Sequence, residues 1–229
     1  PIWHLSDLGG LAARVAHELR NPLGIIAAAA YNIQRKRTNP DIDSNLQNIQ
    51  KYVAESDRII GNLLNYARLK MPQFARVDIA ALVSNCLDEG RGYFPLQTVS
   101  VVRRLSALQG LWIDADPVQI NEIIQNILAN AYQALEGRED GQITVRARRR
   151  SSDRLHLSFA DNGPGMTSED LQRIYEPFFT RKPKGTGLGL SICRELMTLH
   201  NGEITVTSRP EQGTTVTLIF PLRDAAGAG

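Results

Sequence analysis

Residues 15–23, Val-Ala-His-Glu-Leu-Arg-Asn-Pro-Leu, set a histidine, an acid and an amide into an otherwise apolar helical pattern. His17 precedes Asn21 by one helical turn, so the two side chains share one face of the helix. Pro22 removes a backbone donor and crowds the preceding turn, which predicts a kink just beyond the histidine. The stretch therefore predicts a polar group displayed near a kink in a long helix.

Apolar residues recur with heptad spacing on both sides of this stretch, from about residue 6 to residue 37. The two rows of the heptad are Leu8, Val15, Pro22 and Ala29, and Ala12, Leu19, Ile26 and Ile33. A polar turn at 38–41 leads into a second helical pattern that runs to about residue 70, which predicts an antiparallel α hairpin. One partner covers only half of each apolar stripe, so we expect a homodimer that forms a four-helix bundle.

The bulk composition narrows the class of protein. A net charge of +2 over 229 residues gives no support to nucleic-acid binding. Cys86 and Cys193 lie far apart in apolar helical patterns and are expected to be buried free thiols. No apolar run is long enough for a membrane helix, so a cytoplasmic location is expected, with no membrane contact by this stretch of chain. The start at Pro1, without methionine, suggests a piece of a longer protein that is membrane-anchored or bears a sensor.

After residue 72 the chain changes from long helices to a mixture of short strands and helices. We therefore predict two domains, 1–72 and 73–229. Asp116 followed by Pro117 predicts a helix start, and Gly137 predicts the end of that helix. Alternating strands follow at about 143–148 and 155–160, and a hairpin at about 204–220. The second domain is expected to be an α/β two-layer sandwich, with helices on a mixed sheet.

Two glycine-rich motifs in this second domain indicate a ligand site. Asp161, Gly163 and Gly165 follow a predicted strand, where a carboxylate could accept a hydrogen bond from an exocyclic amine and glycines could let a planar ligand approach. Residues 185–189, Gly-Thr-Gly-Leu-Gly, lead directly into a helix, whose free N–H groups and dipole suit phosphates. Either motif alone is also compatible with an ordinary turn.

Two further features complete the candidate site. Asn126 and Asn130 lie on one helical face, where amide oxygens could complete a magnesium shell, although two exposed asparagines would look the same. Between the glycine motifs, Thr167 begins a capping box for a short helix, and an aromatic cluster with Phe178 and Phe179 follows. A segment of this kind between two ligand-contacting loops is typical of a mobile lid.

In order and spacing, these motifs resemble the N, G1, F and G2 boxes of the catalytic ATP-binding domain of sensor histidine kinases, and 17–22 resembles their H box. The resemblance covers essentially the whole chain, and Tyr175–Lys182 looks closest to the nitrogen-regulation type of kinase. It implies a sandwich of the GHKL, or Bergerat, type, with ATP and Mg²⁺ as cofactors. It also implies phosphoryl transfer from a histidine to the receiver domain of a response regulator.

The resemblance also implies a role for each matching residue. Asp161 is similar to the aspartate that contacts the adenine amino group, with Gly163 and Gly165 shaping the pocket. Asn130 resembles the magnesium ligand, with Asn126 as its companion. The phosphate loop is matched by Gly185, Thr186, Gly187, Leu188 and Gly189, and the hinge of the lid by Phe178 and Phe179. Many relatives carry a basic residue where this chain has Gln133, so a cationic contact to the phosphates is expected either to be absent or to come from Lys182 or Lys184.

Chemistry at the first domain follows from the position of His17. It occupies position f of the heptad, furthest from the seam, where another domain can reach it. Neutral imidazole is nucleophilic near pH 7, and Glu18 could orient the ring or take its proton. Asn21 could hold a water for the reverse reaction on a partner, because Glu18 and Asn21 match the phosphatase motif of the family. We also hypothesise that the kink at Pro22 separates kinase from phosphatase states.

Two alternative functions carry the same nucleotide motifs. An ATP-hydrolysing relative of the gyrase, chaperone or mismatch-repair kind would have a glutamate four residues before Asn130, where this chain has Asn126. A dimeric scaffold that binds nucleotide only to change shape would not use His17.

We predict no further binding site at the remaining arginines and histidines. The arginines at 146 and 148–150 are interpreted as a solvated sheet edge, with two of the four on the alternate face. The remaining histidines have no metal-ligand spacing, so no metal is predicted beyond magnesium bound with nucleotide.

Overall fold

A computed structural model describes residues 19, 21–33, 42, 44–53, 56, 71–93, 99–151, 153–182 and 187–222. The chain divides into two compact units. The first contains Pro1–Leu69 and Thr180–Leu188, and the second contains Lys70–Phe179 and Gly189–Gly229. The domain boundary that we place after residue 72 stays a prediction.

The first unit is helical at 21–33 and 44–53, as the heptads predict. Pro22 and Ala29 are buried, and Ile26 and Ile33 are half-buried, so these rows of the first helix face other residues. On the second helix, Leu46 and Val53 remain 45% and 44% exposed. In the part of the chain that is described, no helix combines the length and apolar character needed to cross a bilayer.

The second unit alternates strands and helices, as predicted. Its strands are β1 (Ala75–Asp78), β2 (Ser100–Arg104), β3 (Trp112–Ala115), β4 (Gln142–Ser151), β5 (Arg154–Asp161), β6 (Glu203–Ser208) and β7 (Thr214–Pro221). Its helices are α1 (Ile79–Tyr93), α2 (Pro117–Ala134), α3 (Ser168–Arg173) and α4 (Gly189–Leu199), with a 3₁₀ turn at Ser106–Leu108. Strand β1 is absent from the sequence-based prediction, and it pairs antiparallel with β3 in a separate two-stranded sheet.

The main sheet is mixed and has the strand order β2-β4-β5-β7-β6. Strand β2 runs parallel to β4, and the other neighbours are antiparallel. Alternate side chains of β4, β5 and β7 are buried on one face, together with the apolar residues of α1, α2 and α4. The predicted two-layer arrangement of helices on a mixed sheet is confirmed.

Cys86 and Cys193 lie in this core as free thiols, as predicted. Burial raises the pKa of the Cys86 thiol to about 12, so it stays protonated at neutral pH. Burial likewise raises the pKa of Cys193 far above its ordinary value.

The interpretation of the arginine group as a solvated edge holds for the end of the strand only. Strand β4 lies between β2 and β5, but β2 pairs with it no further than Arg146, and Arg148, Arg149 and Arg150 beyond that point are exposed. Arg146 and Arg148 are in register with Ser158 and His156 of β5, on the face opposite the core. Arg150 lines the same face, so three of the four arginines share it. The register shifts at the end of β4, between Arg149 and Ser151, which simple alternation does not anticipate.

The start of α2 is fixed by Asp116, which acts as the predicted N-cap. Its Oδ1 accepts hydrogen bonds from the N–H groups of Val118 and Gln119, at 3.0 and 3.3 Å. Its Oδ2 accepts from the N–H of Gln73 at 2.9 Å. Burial would raise the pKa of this carboxyl, but the three backbone N–H groups outweigh it and hold the pKa below its ordinary value.

The backbone of Asp116 makes a further buried contact, with His200 after the end of α4. The Asp116 N–H donates to His200 Nε2 at 3.0 Å, so Nε2 is unprotonated and Nδ1–H donates to the Leu196 carbonyl at 2.8 Å. The ring of Phe74 packs edge-on against the imidazole, with centroids 5.4 Å apart. His200 is therefore a structural residue of the core.

We predict that Asp116→Ala lowers the free energy of unfolding at pH 7 by about 1–2 kcal/mol, as for loss of an N-cap. Because the folded-state pKa is lowered, the carboxylate stabilises the fold above its unfolded pKa, and this contribution is lost as the pH falls through the folded pKa. The difference between wild type and variant should therefore shrink below about pH 4. Urea unfolding of both proteins at several pH values measures this difference in the free energy of unfolding.

The matched control is Glu139→Ala, which removes an exposed carboxylate from the same unit. It should change the free energy of unfolding by less than about 0.5 kcal/mol. An Asp116 effect equal to that of the control, or one that persists unchanged to pH 3, would contradict this account of the cap.

Candidate functional site

The two asparagines of α2 face the start of α4. Asn126 and Asn130 are half-buried and lie one turn apart on the helix. A Cβ at Gly189, the first residue of α4, would lie 3.3 Å from Asn126 Oδ1 and 3.9 Å from Asn130 Nδ2. The last glycine of the predicted phosphate loop therefore meets both amides, and the positive end of the α4 dipole lies beside them.

Asp161 is the last residue of β5, and its carboxylate is held in one orientation by backbone donors. Oδ1 accepts from the N–H of Gly163 at 2.9 Å and from the N–H of Thr214 at 3.2 Å. A Cβ at Gly163 would lie 2.8 Å from this same oxygen and 3.2 Å from the Cβ of Ala134, at the end of α2. The glycine therefore allows the carboxylate loop to pack against the helix that carries the asparagines.

The rest of this loop is joined to the turn between β6 and β7. Gly165 has a φ of +67°, and a Cβ there would collide with the carbonyl oxygen of Arg209. The Met166 N–H donates to Ser208 Oγ at 2.9 Å, and the Glu211 N–H donates to the Pro164 carbonyl at 2.7 Å. The close approach of the Arg209 carbonyl therefore requires glycine at position 165. The sequence pattern alone would explain this glycine by the approach of a ligand.

The aromatic cluster follows the short helix α3, which Thr167 caps by accepting from the Asp170 N–H at 3.2 Å. The guanidinium of Arg173 lies 4.3 Å from the centre of the Phe179 ring. Phe178 has a φ of +67°, a left-handed conformation that is strained for a bulky residue. The predicted hinge position therefore carries local backbone strain.

Tyr175 ties this cluster to the sheet. Its hydroxyl donates to the Ile204 carbonyl at 3.2 Å, and the guanidinium of Arg194 lies 5.0 Å from its ring centre. Burial raises the pKa of the Tyr175 hydroxyl, which therefore remains a neutral donor.

The remaining predicted site residues belong to the first unit or are outside the described residues. Asn21 is exposed on its helix. In the segment Thr180–Leu188, the N–H of Lys182 donates to Thr180 Oγ1 at 3.1 Å, Gly187 has a φ of +66° and Leu188 is buried. His17, Glu18, Gly185 and Thr186 lie outside the described residues, as does Lys184.

The donor set fits a nucleotide with its magnesium ion. Amide oxygens, phosphate oxygens and water form a typical magnesium shell, and the missing side chain of Gly189 lets the start of α4 approach both asparagines closely. A fixed carboxylate at a strand end suits an exocyclic amine.

Two residues that support this site were not identified from the sequence. Thr214 contributes a backbone N–H to Asp161, and Ser208 contributes a hydroxyl to the loop. The only sequence signal for them is Gly213, which directly precedes β7 and which, like Gly165, has a positive φ.

Two family models match the chain. Residues 7–72 match the His Kinase A (phospho-acceptor) domain, HisKA. Residues 115–224 match HATPase_c, the histidine kinase-, DNA gyrase B- and HSP90-like ATPase. Together they cover the described helices of the first unit and, in the second unit, four of the five strands of the main sheet and three of the four helices.

Full-length relatives match across both regions. The chain is 34% identical over 223 residues to the signal transduction histidine-protein kinase AtoS of Escherichia coli, which covers 95% of this chain and 35% of AtoS. It is 33% identical to the sensor histidine kinase ZraS of Klebsiella oxytoca, with 95% of this chain and 47% of ZraS covered. The chain thus spans less than half the length of these curated relatives.

Solved structures show the same architecture. The histidine kinase ThkA, crystallised in complex with the response regulator protein TrrA, matches 96% of this chain and 63% of its own with a TM-score of 0.77 and 25% identity. Full-length ShkA in complex with AMPPNP matches 94% of this chain and 46% of its own, with a TM-score of 0.64 and 25% identity.

We predict that Gly165→Ala destabilises the second unit by more than the strain of a left-handed alanine, about 1 kcal/mol. The added methyl group would meet the Arg209 carbonyl, so the loop that holds Asp161 must shift and nucleotide affinity should fall with stability. Thermal unfolding and titration calorimetry with ADP measure the two effects.

Gly137→Ala is the matched control, because Gly137 also has a positive φ, of +79°, but a Cβ there meets nothing within 4 Å. It should show the conformational strain alone and normal ADP affinity. Equal losses in the two variants would mean that the contact with Arg209 plays no part.

Proposed function

Because the chain belongs to the sensor histidine kinases of two-component systems, we propose that it transfers the γ-phosphoryl group of ATP to His17. The phosphoryl group then passes to an aspartate in the receiver domain of a response regulator. The observation that carries this proposal is the pair of half-buried amides, Asn126 and Asn130, facing the glycine at the start of α4.

In this proposal α2 and α4 bind the phosphates from two sides. Asn130 supplies an oxygen to Mg²⁺, with Asn126 beside it, and the N–H groups at the start of α4 face the phosphate oxygens. The bound Mg²⁺ would neutralise negative charge on the phosphates. Lys182 is proposed to add a cationic contact in place of the basic residue that Gln133 replaces.

Asp161 provides adenine selectivity in the proposal. The Gly163 and Thr214 N–H groups fix the orientation of its carboxylate through Oδ1. The carboxylate can then accept from the exocyclic amine of adenine, which guanine lacks at that position. Phe178 and Phe179 would act as the hinge of a lid between α3 and the phosphate loop.

The proposed chemical step forms a nitrogen–phosphorus bond. A ring nitrogen of neutral His17 attacks the γ-phosphorus in line, the bond from that phosphorus to the bridging oxygen breaks, and ADP leaves. Glu18 orients the ring and accepts the proton that the imidazole loses.

The competing function is ATP hydrolysis by the same fold. A water-activating glutamate would stand four residues before Asn130, but that residue is Asn126, whose amide cannot act as a general base. A side-chain acceptor is therefore favoured over water.

The proposed kinase is a homodimer. Leu46 and Val53 lie one heptad apart on the second helix, and they are 45% and 44% exposed in the single chain. A second copy would cover this stripe and complete a four-helix bundle.

We expect wild-type chain incubated with magnesium and radiolabelled ATP to acquire acid-labile, alkali-stable label. His17→Gln should lose the label and still bind ADP, because the nucleotide residues are intact. Asn130→Ala should lower both labelling and the affinity for magnesium nucleotide by about tenfold or more.

Asn121→Ala is the control for the asparagine variant, because Asn121 lies on the same helix and contacts Glu89 at 3.3 Å. It should label normally. Label that persists in His17→Gln would refute the assignment of the phosphate acceptor.

We propose in addition that the chain removes phosphate from its response regulator, with Asn21 holding the attacking water. Asn21→Ala should slow dephosphorylation of a receiver domain that accepts label from the wild-type chain, by about 10²-fold, without lowering the labelling of His17. Asn32→Ala, an exposed asparagine further along the same helix, should leave both activities unchanged. Equal loss of both activities in Asn21→Ala would contradict separate roles.

The kink at Pro22 is proposed as the element that distinguishes kinase from phosphatase states. Pro22→Ala should therefore change the ratio of the two rates. An unchanged ratio would show that the kink has no part in switching.

A further inference from the structure

The face of the main sheet opposite the helices carries a cluster of basic side chains. Arg146 and Arg148 of β4 are in register with Ser158 and His156 of β5, and Ser158 is in register with Thr217 of β7. The residues between them, Ala147 on β4 and Leu157 on β5, are buried in the core. The polar set therefore occupies one continuous surface on the other side of the sheet from α2 and the candidate nucleotide site.

This surface contains a groove of about 370 Å³. Its lining residues are Thr144, Arg146, Arg148, Arg150, His156, Ser158, Ala160, Thr215 and Thr217. Three guanidinium groups, an imidazole and several hydroxyls thus surround the groove, and no carboxylate lines it. In its floor, Ser158 Oγ and Thr217 Oγ1 lie 3.0 Å apart and share a hydrogen bond.

The three arginines of the groove form no ion pair within the described part of the chain. Other arginines of the second unit pair with carboxylates, as Arg103 does with Asp88 at 2.6 Å and Arg154 with Glu203 at 2.9 Å. No described carboxylate forms an ion pair with Arg146, Arg148 or Arg150. An anion in the groove would relieve the repulsion among these permanent charges.

We propose that the groove binds a small anion with two or more phosphate groups. Alternate residues of a strand are about 7 Å apart, so successive arginines can each contact a different phosphate through paired N–H groups. The volume is that of a small-molecule site, about 300–1,000 Å³. The lining holds no Phe, Tyr or Trp for bases to stack on, which disfavours single-stranded nucleic acid.

The groove is a separate site from the one proposed for ATP, and it stands whether or not His17 is the phosphate acceptor. Its residues belong to β4, β5 and β7, whereas the nucleotide residues lie on α2, at the start of α4 and in the loop after β5. Resonances of the two sites can therefore be followed independently in one titration.

The test is a magnesium-free titration of the intact, isotope-labelled chain with inorganic tripolyphosphate, followed by amide NMR. Binding should shift the amides of Arg146, Arg148, Ser158 and Thr217. In the double variant Arg146→Gln, Arg148→Gln the dissociation constant at these amides should rise by at least about tenfold, since two charge-assisted contacts are lost. Orthophosphate should bind the wild type at least about tenfold more weakly, because it can engage one arginine at a time.

The control double variant is Arg103→Gln, Arg138→Gln, which removes the same charge from arginines that pair with Asp88 and Asp140. It should bind tripolyphosphate like the wild type. If the glutamine pair in the groove disturbs the native spectrum, Arg146→Lys, Arg148→Lys keeps the charge without the paired N–H geometry and should bind more weakly than wild type.

Three results would overturn the proposal. The first is a shift confined to the amides of Gly163 and Gly189, which would place tripolyphosphate in the nucleotide site alone. The second is equal weakening in the groove and control variants, and the third is equal affinity for orthophosphate and tripolyphosphate.

Discussion

The buried contacts of Asp116 hold together the parts of the second unit on which the candidate site depends. One carboxylate oxygen caps α2, and the other accepts a hydrogen bond from the N–H of Gln73. The backbone N–H of Asp116 donates to His200, which lies beyond the end of α4. Helix α2 carries both asparagines, and α4 begins at the glycine that faces them. The start of α2 and the residue that follows the end of α4 are thus joined at Asp116.

The side of the candidate site that we propose for adenine is fixed by backbone packing. Gly163 lets the loop after β5 approach Ala134 of α2, and Gly165 lets it approach the carbonyl of Arg209. Gly213 in turn lets the turn before β7 approach the end of β5, since a Cβ there would collide with the carbonyl of Asp161. These glycines therefore allow the loop that orients the carboxylate to pack, so the proposed nucleotide recognition would depend on the same positions as folding of the loop.

Much of this fold could be predicted from the sequence because its signals are local. Asp116 before Pro117 marks a helix start, and alternating apolar residues in β4, β5 and β7 mark strands with one buried face. The asparagine pair and the glycine motif after β5 are also local signals, recognisable from residue type and spacing. Of the second glycine motif, only Gly189 belongs to the same unit as these residues.

The features that were missed depend on long-range pairing. Strand β1 is only four residues long and has its partner in β3, well along the chain. His200 carries no local sign that it accepts a hydrogen bond from a backbone 84 residues away. Arg146, Arg148 and Arg150 share a face by simple alternation, but the groove that they line depends on the pairing of β4 with β5 and of β5 with β7. The left-handed backbone of Phe178 has no signal in residue type at all.

The central claim is that this nucleotide site delivers phosphate to one histidine. The most direct measurement is to locate the phosphate on the intact chain after incubation with magnesium ATP, by ³¹P NMR and by tandem mass spectrometry at neutral pH. The account predicts a phosphoramidate resonance and a single modified peptide with the phosphate on His17. Phosphate on another residue, or release of inorganic phosphate with no modified peptide, would contradict it.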